Sequence, residues 1–254
     1  MEIENLSWVN NYKERNNKLL PNSIRGLIIG KSGCGKTTLL LNLLIKPGWL
    51  DYDNLYIFGK SLHQPEYQIL IKALQKGLTK EEIYRLFQEK DTINKLNVDK
   101  IIDKVSKTSK NKNKIKVYFY ESADDVPDPK KLNKCERNLM IFDDLMLEKK
   151  QNKCEDYYVR GRHNNVDCFY ISQNYFKLPR QTIRENTNFI CLFKQDGKNI
   201  SHIYNDHSSA DMSITDFKKF LNECWKEPFG FATIDLTNTG KYRKQFNQFL
   251  QLES

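Results

Sequence analysis

The sequence lacks several features that mark secreted, membrane-bound and zinc-binding proteins. Its six cysteines include no C-x-x-C pair and no framework of paired spacings, so we expect neither structural zinc nor disulfides. The first residues do not show a positively charged and then apolar signal layout, and no apolar run approaches about 18 residues. We therefore expect a soluble chain of a reducing, intracellular compartment, with no membrane segment.

Acidic residues are in the minority, because 41 lysines and arginines outnumber 32 aspartates and glutamates and give a net charge of +9. Much of this excess lies between positions 94 and 116, where two aspartates accompany lysines 95, 100, 104, 107, 110, 112, 114 and 116. The SKTSKNKNK stretch of this segment has no aromatic residue that could stack on a base. Two interpretations stay open: a loop that binds phosphate backbones independently of their sequence, or a solvated surface loop.

The length of 254 residues suits one α/β domain, which we expect to cover residues 1–254. Short apolar segments alternate with helical ones, which is typical of a mostly parallel sheet covered by helices on both faces. Strands are predicted at 25–30, 54–58, 116–120, 138–142, 167–172, 188–193 and 229–236. We expect a helical and Lys-rich insertion over 60–115. We also expect a C-terminal helix and strand appendage over 205–254, with 229–236 as the last strand and a loose polar tail.

The segment GKSGCGKTT, residues 30–38, has the spacing G-x-x-x-x-G-K-[ST] between a predicted strand and a predicted helix. In such a phosphate loop the backbone N–H groups and the positive helix end bind phosphates, while Lys36 neutralises the β and γ groups and Thr37 ligates Mg²⁺. Lys31 either adds charge near the γ-phosphate or is a surface lysine. The predicted nucleotide-binding residues are Gly30, Lys31, Ser32, Gly33, Cys34, Gly35, Lys36, Thr37 and Thr38.

A second motif, LMIFDD, places two carboxylates at the end of a predicted strand. A phosphate loop needs one carboxylate for the metal and another group to orient the attacking water, so we assign Asp143 to Mg²⁺ and Asp144 to the water. The acidic segment ESADDVPDP is a competitor, but its prolines mark a loop and favour solvated turn acids.

A third signal lies in GRHNNVDCFYISQNYFKLPRQTIREN. Its predicted strand ends in Ser172 and Gln173, which places an amide beside the metal strand, where it could sense the γ-phosphate through a water. Phosphoryl transfer commonly uses an arginine from the same or a neighbouring subunit to neutralise developing charge. The arginines around this strand are Arg160, Arg162, Arg180 and Arg184.

Together the three motifs resemble the genome-packaging ATPases of the FtsK–HerA superfamily, especially the poxvirus-type branch of large DNA viruses, virophages and Polinton-like elements. The resemblance covers about residues 24 to 195, and its GRHNN and ISQ segment is specific, whereas the phosphate loop is shared by many unrelated enzymes. It implies a P-loop NTPase fold with a RecA/FtsK-like ASCE core, in which a strand-end glutamine acts as a sensor. Gln173 matches that glutamine.

The resemblance also implies catalytic roles for arginine and for a strand-end acid. An arginine from the adjoining subunit reaches the nucleotide in this family, and Arg160 or Arg162 is the nearest match, with Arg184 as a rival. The wider group usually has glutamate where this chain has Asp144. We do not infer inactivity from that difference, because the branch often carries Asp–Asp and a shorter carboxylate can still activate water.

The implied activity is a Mg²⁺-dependent ATPase that assembles as a homo-oligomeric pentamer or hexamer and moves double-stranded DNA into a preformed capsid. Capsid or portal-like viral proteins are the implied partners, and the host cytoplasm, the viral factory or the virion is the implied location. The alternative is another nucleic-acid-dependent ATPase, such as a helicase or a transposition-associated DNA pump. A GTPase switch is disfavoured because NKLN and NKCE both fail the N-K-x-D motif, and no segment resembles a kinase acceptor site or lid.

Overall fold

The computed structural model describes residues 16–88, 98–109, 113–145, 151–238 and 240–250. In these residues the α-helices are α1 (Lys36–Ile45), α2 (Pro65–Gln75), α3 (Lys80–Gln88), α4 (Val98–Thr108), α5 (Asn152–Arg160), α6 (Gly197–His207) and α7 (Ile214–Cys224). The strands are β1 (Arg25–Ile29), β2 (Asn54–Gly59), β3 (Lys116–Tyr120), β4 (Asn138–Asp143), β5 (Val166–Ser172), β6 (Phe189–Phe193), β7 (Phe231–Asp235), β8 (Tyr242–Lys244) and β9 (Gln248–Phe249). None of the described helices is long and apolar enough to cross a bilayer.

All nine strands belong to one sheet with the order β3-β2-β4-β5-β1-β6-β7-β8-β9. The six strands from β3 to β6 in this order are parallel, and the three that follow are antiparallel. The predicted α/β class with a mostly parallel sheet is therefore confirmed. The strand β5 lies between β1 and β4, so the segments that follow these three strands leave the sheet at adjacent places.

The central strands are buried on both faces of the sheet, and neighbouring side chains along each of them point to opposite faces. In β1, Ile28 packs into one hydrophobic cluster, whereas Leu27 and Ile29 pack into the other. Helices α1 to α4 contribute to the first cluster and α5 to α7 to the second. This arrangement explains why the central strands read as continuous apolar runs rather than as alternating patterns.

The segment 60–115 begins with two helices that carry the expected end signals. Pro65 is the first residue of α2. Before α3, the Thr79 backbone N–H donates to Glu82 Oε2 at 2.8 Å and the Glu82 N–H donates to Thr79 Oγ1 at 3.3 Å, which is the predicted capping box. Leu70 of α2 and Ile102 of α4 are buried in the same cluster as α1. The segment is thus part of the common core, and its description as an insertion stays a prediction.

Several lysines of the basic segment are described. Lys100, Lys104 and Lys107 are exposed on α4, and Lys114 is exposed just before β3. Lys72 of α2 pairs with Asp99 of α4, and Lys76, the residue after α2, pairs with Asp103, so the two acids of this segment face α2 and its end. Lysines 95, 110 and 112, which belong to the same predicted basic segment, lie outside the described residues. The exposed lysines therefore present their charge to solvent.

The C-terminal region differs from the prediction of a last strand followed by a loose tail. The β7 strand is followed by β8 and β9, which extend the main sheet. Arg243 of β8 is fully buried, and its Nη2 donates to Asp235 of β7 at 2.9 Å. Its Nη1 also donates to the Leu19 carbonyl oxygen at 2.9 Å. The prediction of a loose tail was wrong because Arg243, although polar, is buried and is satisfied by Asp235 and the Leu19 carbonyl, which attaches this segment to the sheet.

Arg243→Met removes this cation and leaves the Asp235 carboxylate buried. Because an uncompensated buried charge is costly, we expect the free energy of unfolding, measured in urea, to fall by about 3 kcal/mol. Lys219→Met is the matched control, since Lys219 pairs with Asp216 in solvent, and it should leave the unfolding curve nearly unchanged. Equal losses in the two variants would contradict the role given to Arg243.

Candidate nucleotide site

The carboxyl ends of β1, β4 and β5 open into a cleft of about 350 Å³. Ligands of parallel α/β sheets commonly bind at this edge. The lining residues come from all three sequence motifs and from two further segments: Ser32, Gly33, Gly35, Lys36, Thr37, Thr38, Ser61, Gln64, Asp143, Asp144, Gln173 and Phe229. The cleft therefore brings together the groups that the sequence assigns to phosphate, metal and water.

The phosphate loop has the backbone that anion binding needs. Gly35 has φ of 101° and caps the amino end of α1, and Gly33 has φ of 74°. Such left-handed residues allow successive N–H groups to point into one concavity at a helix start. The Lys36 ammonium donates to the carbonyl oxygens of Gly30 at 2.6 Å and Lys31 at 2.8 Å. No carboxylate among the described residues forms an ion pair with Lys36, so its charge is held at the mouth of the loop.

Three of the nine predicted nucleotide-binding residues do not line the cleft. Gly30 and Lys31 offer their carbonyl oxygens to Lys36, and the Lys31 side chain is exposed. Cys34 is half-buried against the core, and this burial raises the pKa of its thiol. All six cysteines are free, and four of them are buried. These three residues thus support the loop through its backbone and the core, and their direct contact with a nucleotide stays a prediction.

The carboxylate of Asp143 is buried at the end of β4, with 6% of the residue exposed. The Tyr67 hydroxyl of α2 donates to Asp143 Oδ2 at 2.6 Å. Burial raises the pKa of the Asp143 carboxyl. The Tyr67 hydrogen bond and the Lys36 charge oppose this rise, whereas the neighbouring charge of Asp144 adds to it. Thr37 lines the same cleft, so a hydroxyl and a carboxylate oxygen, the ligand types that Mg²⁺ prefers, face one space. The residues present fit the predicted metal.

Asp144 follows β4 in an unusual backbone conformation that turns its side chain toward β5. Its φ is 50°, and its N–H donates to the Ile171 carbonyl oxygen at 3.1 Å. The Gln173 amide donates to Asp144 Oδ2 at 2.8 Å. Strained backbone of this kind is concentrated at functional sites. The predicted water-orienting acid and the predicted sensor amide are thus in direct contact, on two adjacent strands.

Two of the predicted arginines lie far from the cleft of their own chain. Arg160 ends α5, where it pairs with Asp156 at 3.3 Å, and Arg162 is exposed in the 3₁₀ turn Gly161–Asn164. This turn precedes β5, whose seven residues separate it from the carboxyl edge by about 20 Å. Neither side chain can therefore reach the cleft of its own chain. Within the described residues Arg162 forms no ion pair.

Arg184 has a different environment, in which it is buried and paired. It belongs to the helical turn Arg180–Arg184, and its guanidinium donates to Asp206 of α6, with one contact at 2.8 Å. The same guanidinium packs 4.7 Å from the ring centroid of Tyr175, whose hydroxyl also donates to Asp206 at 2.7 Å. Arg184 thus fastens α6 to the segment that follows Gln173, and it does not line the cleft.

Four lining or supporting residues were missed by the motif analysis. Ser61 and Gln64 follow β2, Tyr67 lies one helical turn further on, and Phe229 precedes β7. The pairing of β2 with β4 brings the first three beside Asp143, but the sequence alone does not give that strand order. Phe229 lies at the cleft because β7 runs antiparallel to β6, which places the start of β7 at the carboxyl end of β6. No sequence motif predicts this direction.

A larger cavity of about 590 Å³ lies at the opposite, amino edge of the sheet. It is lined in part by Asp51, Asp53 and Arg137, and Arg137 is paired with both acids. Lys80 at this cavity packs over the Tyr52 ring at 3.8 Å, and burial lowers its pKa to about 8. Arg137 is already neutralised by two acids and the Lys80 ammonium is packed against an aromatic ring, whereas Lys36 has no carboxylate partner among the described residues, so the smaller cleft is the better anion site.

No model of a protein family matches the sequence, and a search of curated proteins finds no match. Solved structures with a similar fold include the genome packaging NTPase B204 from Sulfolobus turreted icosahedral virus 2. Its complex with AMPPCP is 12% identical, covers 86% of this chain and 95% of that chain, and has a TM-score of 0.50. Its complex with sulfate is 11% identical, covers 91% and 97%, and has a TM-score of 0.50. VirB4 of Thermoanaerobacter pseudethanolicus is 11% identical, covers 89% and 90%, and has a TM-score of 0.45.

At these identities the likeness concerns the fold. The chain has the α/β fold of a P-loop NTPase, with a mostly parallel sheet between helical layers. The strand β5 lies between the phosphate-loop strand β1 and the acidic strand β4. The fold that the sequence resemblance implies is therefore confirmed.

Proposed function

We propose that this protein is an ATP-hydrolysing motor that moves double-stranded DNA into a preformed viral capsid. The observation that carries the proposal is the single cleft in which the phosphate loop faces Asp143, Asp144 and Gln173. The B204 structures, described as those of a genome packaging NTPase, support the direction of this proposal because their fold spans nearly the whole chain.

ATP is the proposed substrate, and the phosphate loop is its proposed anchor. The complex of B204 with AMPPCP shows that this fold holds an ATP analogue in another protein. In this chain the Lys36 ammonium would exchange its bonds to the loop carbonyls for bonds to phosphate oxygens. Mg²⁺ bound through Thr37 and the Asp143 region would neutralise charge on the phosphates and hold them in line. Tyr67 keeps the Asp143 carboxylate oriented for this task.

Hydrolysis requires that a water be aligned with the γ-phosphate, and Asp144 is the group proposed to align it. Its carboxylate is half-buried in the cleft and is oriented by the Gln173 amide at 2.8 Å. Asp144 would accept a hydrogen bond or proton from the water, and Gln173 would report the occupancy of the γ-phosphate site through the same contact. Gln195 donates to the Gln173 carbonyl oxygen at 3.3 Å, which supports the end of β5.

Charge neutralisation during hydrolysis is assigned to a second copy of the chain. Arg162 is exposed, unpaired within the described residues, and at the sheet edge opposite its own cleft. It suits donation to a neighbour's nucleotide in a pentameric or hexameric ring, where each turnover would be coupled to relative movement of two subunits. Arg184 is the weaker candidate because Asp206 already neutralises it.

The proposed DNA contact depends on phosphates rather than bases. Exposed Lys100, Lys104 and Lys107 on α4 supply positive charge without the aromatic residues that stack on bases. Capsid or portal-like proteins are the proposed further partners, and the host cytoplasm, the viral factory or the virion is the proposed location.

Steady-state ATP hydrolysis with and without long double-stranded DNA tests this function. We expect DNA to stimulate turnover, the stimulation to rise steeply with protein concentration because a ring must assemble, and the effect to fade as salt increases. Lys36→Ala should abolish turnover under every condition, because it removes the phosphate-binding cation.

The alternatives give different outcomes in the same assay. Stimulation by single-stranded but not double-stranded DNA would favour a helicase. Turnover that ignores all nucleic acid would contradict the DNA motor while leaving the ATPase site intact. Normal turnover by Lys36→Ala would contradict the site itself.

A mixing experiment tests the proposed role of Arg162. Arg162→Ala should bind ATP normally and lose turnover, since its own phosphate loop is unchanged. Mixing it with Lys36→Ala should restore part of the activity, because an interface can then combine an intact loop with an intact arginine.

Arg184→Gln is the comparison variant. It leaves Asp206 buried without its cation, so we expect a loss of folding stability in urea rather than a selective loss of turnover. If assembled mixtures of Arg162→Ala and Lys36→Ala stay inactive at every ratio, the assignment of Arg162 is wrong.

A further inference from the structure

A third cavity, of about 250 Å³, continues from the phosphate cleft along the first turns of α1. Its lining is mostly apolar and consists of Gly35, Thr38, Leu39, Asn42, Phe193, Phe229 and Phe231. Three of these residues, Gly35, Thr38 and Phe229, also line the phosphate cleft. A ligand anchored by its phosphates in the loop therefore has an adjoining apolar space for its other end.

Phe229 stands at the junction of the two cavities. It is 69% exposed, which is unusual for so large an apolar side chain in a cleft, and its φ is 60°. A bulky residue in this left-handed conformation is a genuine outlier and persists only where the surroundings impose it. Its ring lies close to Gly35, where an added Cβ would approach Phe229 Cδ1 to 3.2 Å. The aromatic face is thus presented beside the last glycine of the phosphate loop.

The turn that carries Phe229 is tied down on both sides. The Gly230 N–H donates to the Glu227 carbonyl oxygen at 3.0 Å, and Trp225 Nε1 donates to the Leu192 carbonyl oxygen at 3.0 Å. Lys244 pairs with Glu227 at 2.9 Å. These contacts hold the turn between α7 and β7 in place, so the backbone that carries Phe229 is fixed beside the phosphate loop.

The inner wall of the cavity is also aromatic. Phe193 and Phe231 are partners in the antiparallel pairing of β6 and β7, and their ring centroids are 5.4 Å apart. Both are buried, with 2% and 7% of their surface exposed. The cavity therefore has a fixed apolar wall and one free aromatic face, which are the features of a site for a flat aromatic ligand.

We propose that Phe229 is the stacking platform for the base of the nucleotide and that this cavity is the base subsite. The inference rests on the proposed nucleotide binding at the phosphate loop and adds the residues that hold the base. Stacking on an aromatic face tolerates different bases, since every base has a π-face. The continuity of the two cavities favours the base over a side chain of a neighbouring subunit, because phosphate and base belong to one ligand.

Calorimetry with ADP and with inorganic pyrophosphate tests the platform, because the two ligands share phosphates and only ADP has a base. For Phe229→Ala we expect ADP affinity to fall by about tenfold or more and pyrophosphate affinity to stay unchanged. Phe229→Tyr keeps the aromatic face and should keep most of the ADP affinity. Phe119→Ala is the matched control, since Phe119 is 50% exposed on the edge strand β3 and lines neither cavity.

A second variant gives a direct signal from the position. Phe229→Trp should show fluorescence that ADP changes and pyrophosphate does not, because only a stacked base contacts the indole. Unchanged ADP affinity in Phe229→Ala would overturn the platform while leaving the phosphate site intact. Equal losses for ADP and pyrophosphate would also overturn it, since the residue would then shape the loop. Failure of the wild-type protein to bind either ligand would overturn both the platform and the proposed function.

Discussion

The backbone pairing of β5 between β1 and β4 is the constraint on which the site depends. Parallel strands place their carboxyl ends at one edge, and the pairing of Ile29 with Ser172 and of Asp143 with Ile171 fixes which ends are neighbours. The phosphate loop, the metal-binding acid and the Gln173 amide are consequently adjacent without any long side chain reaching across the sheet. A shift in this pairing would separate all three, so the fold and the chemistry share one set of hydrogen bonds.

A buried carboxylate and two residues with strained backbone lie together at this edge of the sheet. A buried carboxylate, Asp143, is kept at the end of a fully apolar strand and is compensated by one tyrosine hydroxyl. Asp144 and Phe229 both have positive φ, and both line the same cleft. Strain and buried charge that cluster beside a phosphate loop are better explained by ligand binding than by packing.

The sequence predicts the parallel strands and the phosphate loop well because their signals are local. An apolar run such as LMIF requires burial on both faces, and the glycines of the loop meet a backbone need that few other residues satisfy. The sequence also allows the proximity of Gln173 and Asp144 to be predicted, since each residue follows an apolar strand-like run.

Features that depend on tertiary pairing were not predictable in this way. The tail was expected to be loose because its composition is polar, but the burial of Arg243 against Asp235 is decided by a partner on another strand. The Tyr67 contact with Asp143 depends on which strand lies beside β4. Phe229 lacks any motif, and its position follows from the antiparallel direction of β7. Local patterns carry no information on such neighbours.

The central claim is that Asp144 aligns the water in a nucleotide cleft built by β1, β4 and β5. The most direct measurement compares ATP binding and ATP turnover in Asp144→Asn, which keeps the size of the side chain and its contact with Gln173 while removing the base. The account predicts ATP affinity close to that of the wild type and turnover lower by about 100-fold or more. Turnover near the wild-type rate in the folded variant would contradict it.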